Sequence, residues 1–288
     1  MRAPTALAGL ALVALAALAA CSKAHDPSVT TSSAPPIAIA DAGPDANASD
    51  ASDGTLRPLT EAEWIEHFKL EGGDEASVTV PLGATTPRPI LIAVHGAGDR
   101  PEWACGGWRM IVDAYAFVIC PQGVPVGNGR FSWGSPDQIA RIVDKAVPAL
   151  RRRFGVFVAD GPLVYVGFSQ GARLGVLHTG ARAGEYEAIA LVEGAYEDVD
   201  ATFANKLAKA GHRKVLLACS TGNCDARFAA AKATLARANV EVRVHDAGKH
   251  GHNLNGEVMA AMREPFSWMV KDDPRWAGLP FFSNQMLK

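Results

Sequence analysis

With 28 lysines and arginines against 30 acidic residues, the 288-residue chain carries a formal charge of -2, which excludes a protein that grips nucleic acid through a basic surface. Apolar residues make up 48% and charged residues 20%, so the chain can bury a core and is not disordered over most of its length. The length admits one large domain or two small ones, and the even composition of residues 58–288 favours one.

Residues 1–20 differ from everything after them. Arg2 supplies a positive charge, and residues 6–20 are Ala, Leu, Val and Gly in a run too short to span a bilayer comfortably, which is the profile of a signal peptide. The run ends Leu18-Ala19-Ala20-Cys21 and resembles the lipobox of bacterial lipoproteins. That resemblance implies that Cys21 becomes the lipidated first residue, that the lipid bilayer is a partner through this anchor, and, because Ser22 rather than Asp follows, that the address is the outer membrane of a bacterial cell envelope. Two or more acyl chains anchor stably, since each buried CH₂ contributes ~0.8 kcal/mol. Residues 21–57 are Ala, Ser, Asp and Pro with almost nothing to bury, and read as a disordered tether.

From about residue 75 short apolar runs alternate with helical stretches. The runs are Ile90-Leu91-Ile92-Ala93-Val94, Ala116-Phe117-Val118-Ile119-Cys120, Leu163-Val164-Tyr165-Val166, Ala188-Ile189-Ala190-Leu191-Val192, Lys214-Val215-Leu216-Leu217-Ala218 and Val240-Glu241-Val242-Arg243-Val244. Helices are expected between Cys105 and Cys120, over 136–153, after Gly171, near 200–210, over 226–238 and over 256–270. Ser135-Pro136-Asp137-Gln138 marks the start of the second by a capping serine, proline at the first helical position and Gln at the capping-box position. Little room is left before residue 88 for further strands. The alternation predicts an α/β fold, a mostly parallel sheet covered by helices on both faces, with ligands beyond the carboxyl ends of the strands.

Unusual residues gather at those carboxyl ends. Gly167-Phe168-Ser169-Gln170-Gly171 follows an apolar strand and precedes a helix, which places Ser169 on a sharp corner with its hydroxyl exposed. A nucleophilic serine needs a base, an acid and oxyanion donors. Asp225 closes the turn Gly222-Asn223-Cys224-Asp225 after the strand at 214–218 and is the expected acid; Glu193, after the preceding strand, competes but lacks that turn. The base is expected in the loop after the last strand, where His250 and His252 both lie; His252 is preferred because Gly251 lets the backbone present the ring. His245 continues the strand's alternation and reads as structural. The amides of Gln170 and of Ala97, in His95-Gly96-Ala97-Gly98, are the expected oxyanion hole. Trp103, Trp108, Phe131 and Trp133 fall in loops on the same side; Trp103 and Trp133 are expected to bind substrate.

Gly-x-Ser-x-Gly after a strand, His-Gly-x-Gly two strands earlier, Gly-x-x-Asp two strands later and Gly-His after the last strand together resemble the α/β-hydrolase superfamily over residues 75–272. Among its members the chain looks most like the compact esterases: carboxylesterases and phospholipases, dienelactone hydrolases, and polyhydroxybutyrate-depolymerase or feruloyl-esterase types. The resemblance implies a three-layer α/β-hydrolase fold and cleavage of small-molecule or polymer esters by a serine hydrolase. Ser169, Asp225 and His252 would form its triad, with an acyl-enzyme intermediate and no cofactor. An inactive surface-binding member and a peptidase on the same triad are the alternatives. A metal enzyme built on His245, Asp246, His250 and His252 is disfavoured for want of recognisable ligand spacing. Four cysteines remain after Cys21, and export permits two local disulfides, Cys105 with Cys120 and Cys219 with Cys224.

Overall fold

A computed structural model describes residues 55–211 and 214–280. The expected leader, Cys21 and most of the tether lie outside the described residues. The body opens with β1 (Ile65–Lys69) and β2 (Glu75–Thr79), followed by β3 (Ile90–Val94), α1 (Pro101–Ile111) and β4 (Phe117–Pro121). A projecting ribbon, β5 (Val124–Gly127) and β6 (Arg130–Ser132), precedes α2 (Pro136–Phe154), β7 (Leu163–Phe168) and α3 (Gln170–Ala181). Then come β8 (Tyr186–Val192), α4 (Ala201–Lys209), β9 (Lys214–Cys219), α5 (Cys224–Arg227), α6 (Ala229–Arg237), β10 (Glu241–Asp246) and α7 (Gly256–Val270).

Eight strands form one sheet in the order β1-β2-β4-β3-β7-β8-β9-β10. From β4 to β10 all neighbours are parallel, while β2 joins β4, and β1 joins β2, antiparallel. Alternating side chains explain the layers. Ile90, Ile92 and Val94 face one core with Ile139 and Ile142 of α2, Val176 of α3, Leu207 of α4 and Leu235 of α6. Leu91 and Ala93 face the other, against Trp108 and Ile111 of α1 and Val258, Met262 and Phe266 of α7. Both faces being covered, the strands read as unbroken apolar runs. Each fully buried aliphatic side chain contributes about 1.5–3 kcal/mol.

The chain leaves β3 toward β4 on one side and returns to β7 on the other, so the strand order reverses between β3 and β7. A crevice must open at that switch point, beyond the carboxyl ends of the two strands. His95-Gly96-Ala97-Gly98 and Ser169 are the residues that leave those ends.

The structure corrects several sequence expectations. Two strands do precede residue 88; β1 alternates half-buried with exposed positions, so its apolar signal is faint. The helix expected over 226–238 breaks at Phe228, whose ring is fully buried between α5 and α6. Ser135 caps α2 in extended backbone with Pro136 after it, but its side chain makes no cap hydrogen bond; Gln138 Oε1 instead accepts from the Gly134 N–H at 3.2 Å. The tether's last residues already join the body, since the Leu56 N–H donates to the Thr85 carbonyl at 2.8 Å. Both local disulfides are present, Cys105 with Cys120 and Cys219 with Cys224.

Candidate active site

Only Ser169 separates β7 from α3. Its backbone has φ 53° and ψ -113°, a region that costs a residue with a side chain of order 1–3 kcal/mol. Close packing holds it there. A Cβ at Gly171 would lie 2.3 Å from the Val94 carbonyl oxygen, and one at Gly167 would lie 2.5 Å from the Gly171 carbonyl oxygen, so both glycines of the pentapeptide are spatial necessities. The Ser169 N–H donates to the Val192 carbonyl at 2.8 Å, tying the corner to the exit of β8.

The Ser169 hydroxyl lies 2.8 Å from His252 Nε2, and His252 Nδ1 lies 3.1 Å from Glu193 Oε2. His252 is half exposed and its ring packs 5.1 Å from that of Phe168, whereas the Glu193 side chain is fully buried. Glu193 itself has φ 55°, and Gly194 after it passes so close to the serine corner that a Cβ there would lie 2.5 Å from the Ser169 carbonyl oxygen. Burial pushes the Glu193 carboxyl up, but the Ser220 N–H, His252, the Ser220 hydroxyl and the Tyr196 hydroxyl all hydrogen-bond to it and hold its pKa below the ordinary carboxylate value. The carboxylate is therefore ionised, buried and aimed at the imidazole.

Asp225 is not the residue beside His252. The turn after β9 delivers hydroxyls rather than a carboxylate: Ser220 Oγ and Thr221 Oγ1 donate to Glu193 at 3.1 and 3.3 Å. Gly222 and Asn223, both at positive φ, then turn the chain away, and Asp225 lies in the first turn of α5 with its side chain 83% exposed, 3.8 Å from Lys232. The other loop histidines also point elsewhere. His250 Nδ1 lies 2.8 Å from Glu257, and partly buried His245 lies against α7. Among the described residues no group of three His, Cys, Asp or Glu side chains is placed to hold a metal.

The turn after β3 closes on the serine, since a Cβ at Gly96 would lie 3.2 Å from the Ser169 Cβ. Buried His95 sets its orientation. Burial pushes the His95 pKa down, so the ring is neutral: Nδ1–H donates to the Gly96 carbonyl at 2.7 Å, and Nε2 accepts from the Gly123 N–H at 3.4 Å. In a trans peptide the C=O and N–H point in opposite directions, so a Gly96 carbonyl turned inward leaves the Ala97 N–H turned outward, where Ala97 lines the cleft. The Gln170 amide is the first of α3 and has no acceptor within the helix. Two donors thus flank the serine, one at a helix N-terminus that favours negative charge.

Trp133 does not reach the cleft. It is buried under the turn, with its ring 4.8 Å from that of His95 and its indole N–H donating to the His95 carbonyl at 3.0 Å. Its backbone N–H and C=O pair with the Gln170 side-chain amide at 2.9 and 3.0 Å. Trp133 and the Gln170 side chain thereby tie the turn after β3 to the N-terminus of α3. Trp103 does line the cleft, 53% exposed, opposite Phe168 and Leu254 in a space of about 350 Å³ that includes Ser169 and His252.

Neither a protein-family model nor a curated protein sequence matches the chain. Among solved structures it is similar to a ferulic acid esterase, with a TM-score of 0.54 at 11% identity over 72% of this chain and 96% of that one. It is also similar to an S-formylglutathione hydrolase from Agrobacterium tumefaciens, with a TM-score of 0.53 at 14% identity over 75% and 99%. An uncharacterized protein from Bacillus cereus has a TM-score of 0.54 at 13% identity over 67% of this chain, and the chain spans only 62% of its length. The shared feature is the fold, and the protein has the three-layer α/β-hydrolase fold.

Proposed function

We propose that the protein is a serine hydrolase that cleaves carboxylic esters through an acyl-enzyme, with Ser169 as nucleophile, His252 as base and Glu193, not Asp225, as the acid. The observation that carries this reading is the unbroken relay from a strained Ser169 through His252 to a buried, ionised Glu193. His252 Nε2 takes the Ser169 proton as Oγ attacks the ester carbonyl, and Glu193 fixes the tautomer and stabilises the imidazolium. The Ala97 and Gln170 amides hold the oxyanion, each such donor being worth ~10²- to 10³-fold in rate. His252 then protonates the leaving alcohol, and water, deprotonated by His252, attacks the acyl-enzyme and frees the serine. Similarity in fold to esterases supports an ester as the substrate.

A fluorophosphonate probe and p-nitrophenyl acetate test the reading on the full chain. Wild type should label and turn over, and Ser169→Ala should do neither while remaining folded by circular dichroism, with activity down by about 10⁴-fold or more. A folded wild type that neither labels nor hydrolyses any ester overturns it. We further propose that Cys21 anchors the enzyme in the bacterial envelope, most simply in the outer membrane, on the strength of Leu18-Ala19-Ala20-Cys21-Ser22. Incorporation of labelled palmitate should be lost in Cys21→Ala, and equal labelling of the variant overturns the anchor.

A further inference from the structure

The lining of the cleft carries a charge that the hydrolytic relay does not use. Arg130, at the start of β6, lines the same cleft as Ser169. One of its N–H groups donates to the Gly98 carbonyl at 2.8 Å, and its guanidinium sits 5.5 Å from the centre of the Trp103 ring. Arg100 brings a second guanidinium to 5.3 Å from that ring. Among the described residues no carboxylate forms an ion pair with either arginine. Asp99 is the one carboxylate of the cleft lining, and its Oδ1 accepts from the Arg100 backbone N–H at 2.8 Å. Arg100 is not part of that lining, its Nη2 donating to the Asn128 carbonyl at 3.3 Å, so Arg130 and Asp99 are the charged side chains of the cleft wall.

Arg130 is also pre-organised. A guanidinium has five N–H donors in a fixed fork, and one bond to Gly98 with the contact to Trp103 orients it at little further entropic cost. The partner that matches an oriented fork is a carboxylate, taken by two parallel N–H···O bonds. The apolar face of Trp103, together with Leu254 and Phe168, suits a hydrocarbon arm running from that anion to the serine. Gly98 belongs to the oxyanion turn, and its N–H is held by Ser132 Oγ at 2.9 Å, so both its N–H and its C=O rest on β6.

We propose that Arg130 docks a carboxylate on the substrate, so that the preferred esters are acidic ones such as monoesters of dicarboxylic acids. The inference rests on the serine-esterase reading and names the substrate class of that same site.

The test compares p-nitrophenyl monoesters of succinic, glutaric, adipic and suberic acid with neutral p-nitrophenyl alkanoates of matched length, in wild type, Arg130→Gln, Arg130→Lys and Arg100→Gln. At least one acidic ester should exceed its neutral match in kcat/KM by about tenfold, chiefly through KM, as expected for a charged hydrogen bond at a partly exposed site. Arg130→Gln should bring the acidic-to-neutral ratio to near one, Arg130→Lys should keep part of it, and Arg100→Gln should lower it less. Because the ratio is internal to each variant, a general loss of activity from a disturbed β6 does not mimic the effect. Hydrolysis of neutral esters with no acidic preference at any length, or a preference unchanged in Arg130→Gln, overturns the inference and leaves the esterase reading standing. A wild type inert toward every ester overturns both.

Discussion

Strand β8 carries a glutamate at each end, and the protein treats the two in opposite ways. Glu193, one residue beyond the carboxyl end, is fully buried and ionised because it accepts from a backbone N–H, two hydroxyls of the β9 exit, the Tyr196 hydroxyl and the His252 ring. Glu187, second in the strand at the opposite end, is also largely buried, and its carboxyl is pushed up to about 8. Burial raises it first, and the carboxylate of Asp273 raises it further; Arg275 Nη2, 2.7 Å from Glu187 and 2.8 Å from Asp273, is one cation against two acids, so one proton stays. Both carboxyls are desolvated; the number of donors against competing acids separates them. The contrast separates a carboxylate held ready for chemistry from a carboxyl used to fasten the sheet's amino end, where Arg275 also donates to the Asp160 and Pro162 carbonyls ahead of β7.

The largest effect that could break this contrast lies at the carboxyl end, where the proposed triad sits. Glu193→Gln keeps the shape but removes the charge that stabilises the imidazolium, so kcat on p-nitrophenyl acetate should fall by about 10³- to 10⁴-fold. Asp225→Asn should change kcat by less than about twofold, since that side chain is solvated and remote from the relay. A loss in Asp225→Asn larger than in Glu193→Gln would reverse the assignment. At the other end, Arg275→Ala strands two neighbouring carboxyls and the loop carbonyls. It should cost about 3–5 kcal/mol in urea unfolding while the folded fraction keeps kcat within about twofold. Loss of kcat with unchanged stability would erase the division between the two ends.

Legibility in the sequence followed the same division. The inner parallel strands were plain because both of their faces are buried, so Ile90–Val94 and residues 215–219 are continuous apolar runs. The meeting of Ser169 with His252 could be anticipated because a strand-to-helix corner and a Gly-His loop are local signals. The carboxylate beside His252 could not be anticipated in the same way: Asp225 has the more suggestive turn, but which carboxylate meets His252 depends on Ser220 and Thr221 folding over Glu193 from the next strand. The signal that was present is Glu193-Gly194 directly after an apolar strand, where a charged residue beside a glycine at a strand exit marks a second strained corner. Trp133 misled for a similar reason, since its loop faces the cleft while its ring turns under the oxyanion loop to meet His95. The β5–β6 ribbon escaped notice because all four residues of β5 are exposed and carry no alternation.

A smaller effect sharpens the comparison through pH. A carboxyl whose folded pKa is raised stabilises the fold fully below its unfolded value, near 4.5, and that contribution is lost as pH climbs toward about 8. Glu187→Gln stays neutral and can still donate to Asp273, so it escapes that loss. The stability of the variant relative to wild type should therefore grow between pH 5 and pH 8.5, by something of order 1 kcal/mol, read from urea midpoints at the two pH values. Asp273 does not blur the window, because its lowered pKa places its own loss below 3.8. Glu193 must behave with the opposite sign: its lowered pKa gives stability that is complete above its unfolded value and vanishes only as pH falls. Glu193→Gln should therefore lose ground to wild type as pH rises from 3 to 6, where Glu187→Gln begins to gain. Parallel pH curves for the two variants would mean that the strand's two glutamates share one environment, and the assignment of an ionised acid to its carboxyl end alone would fail.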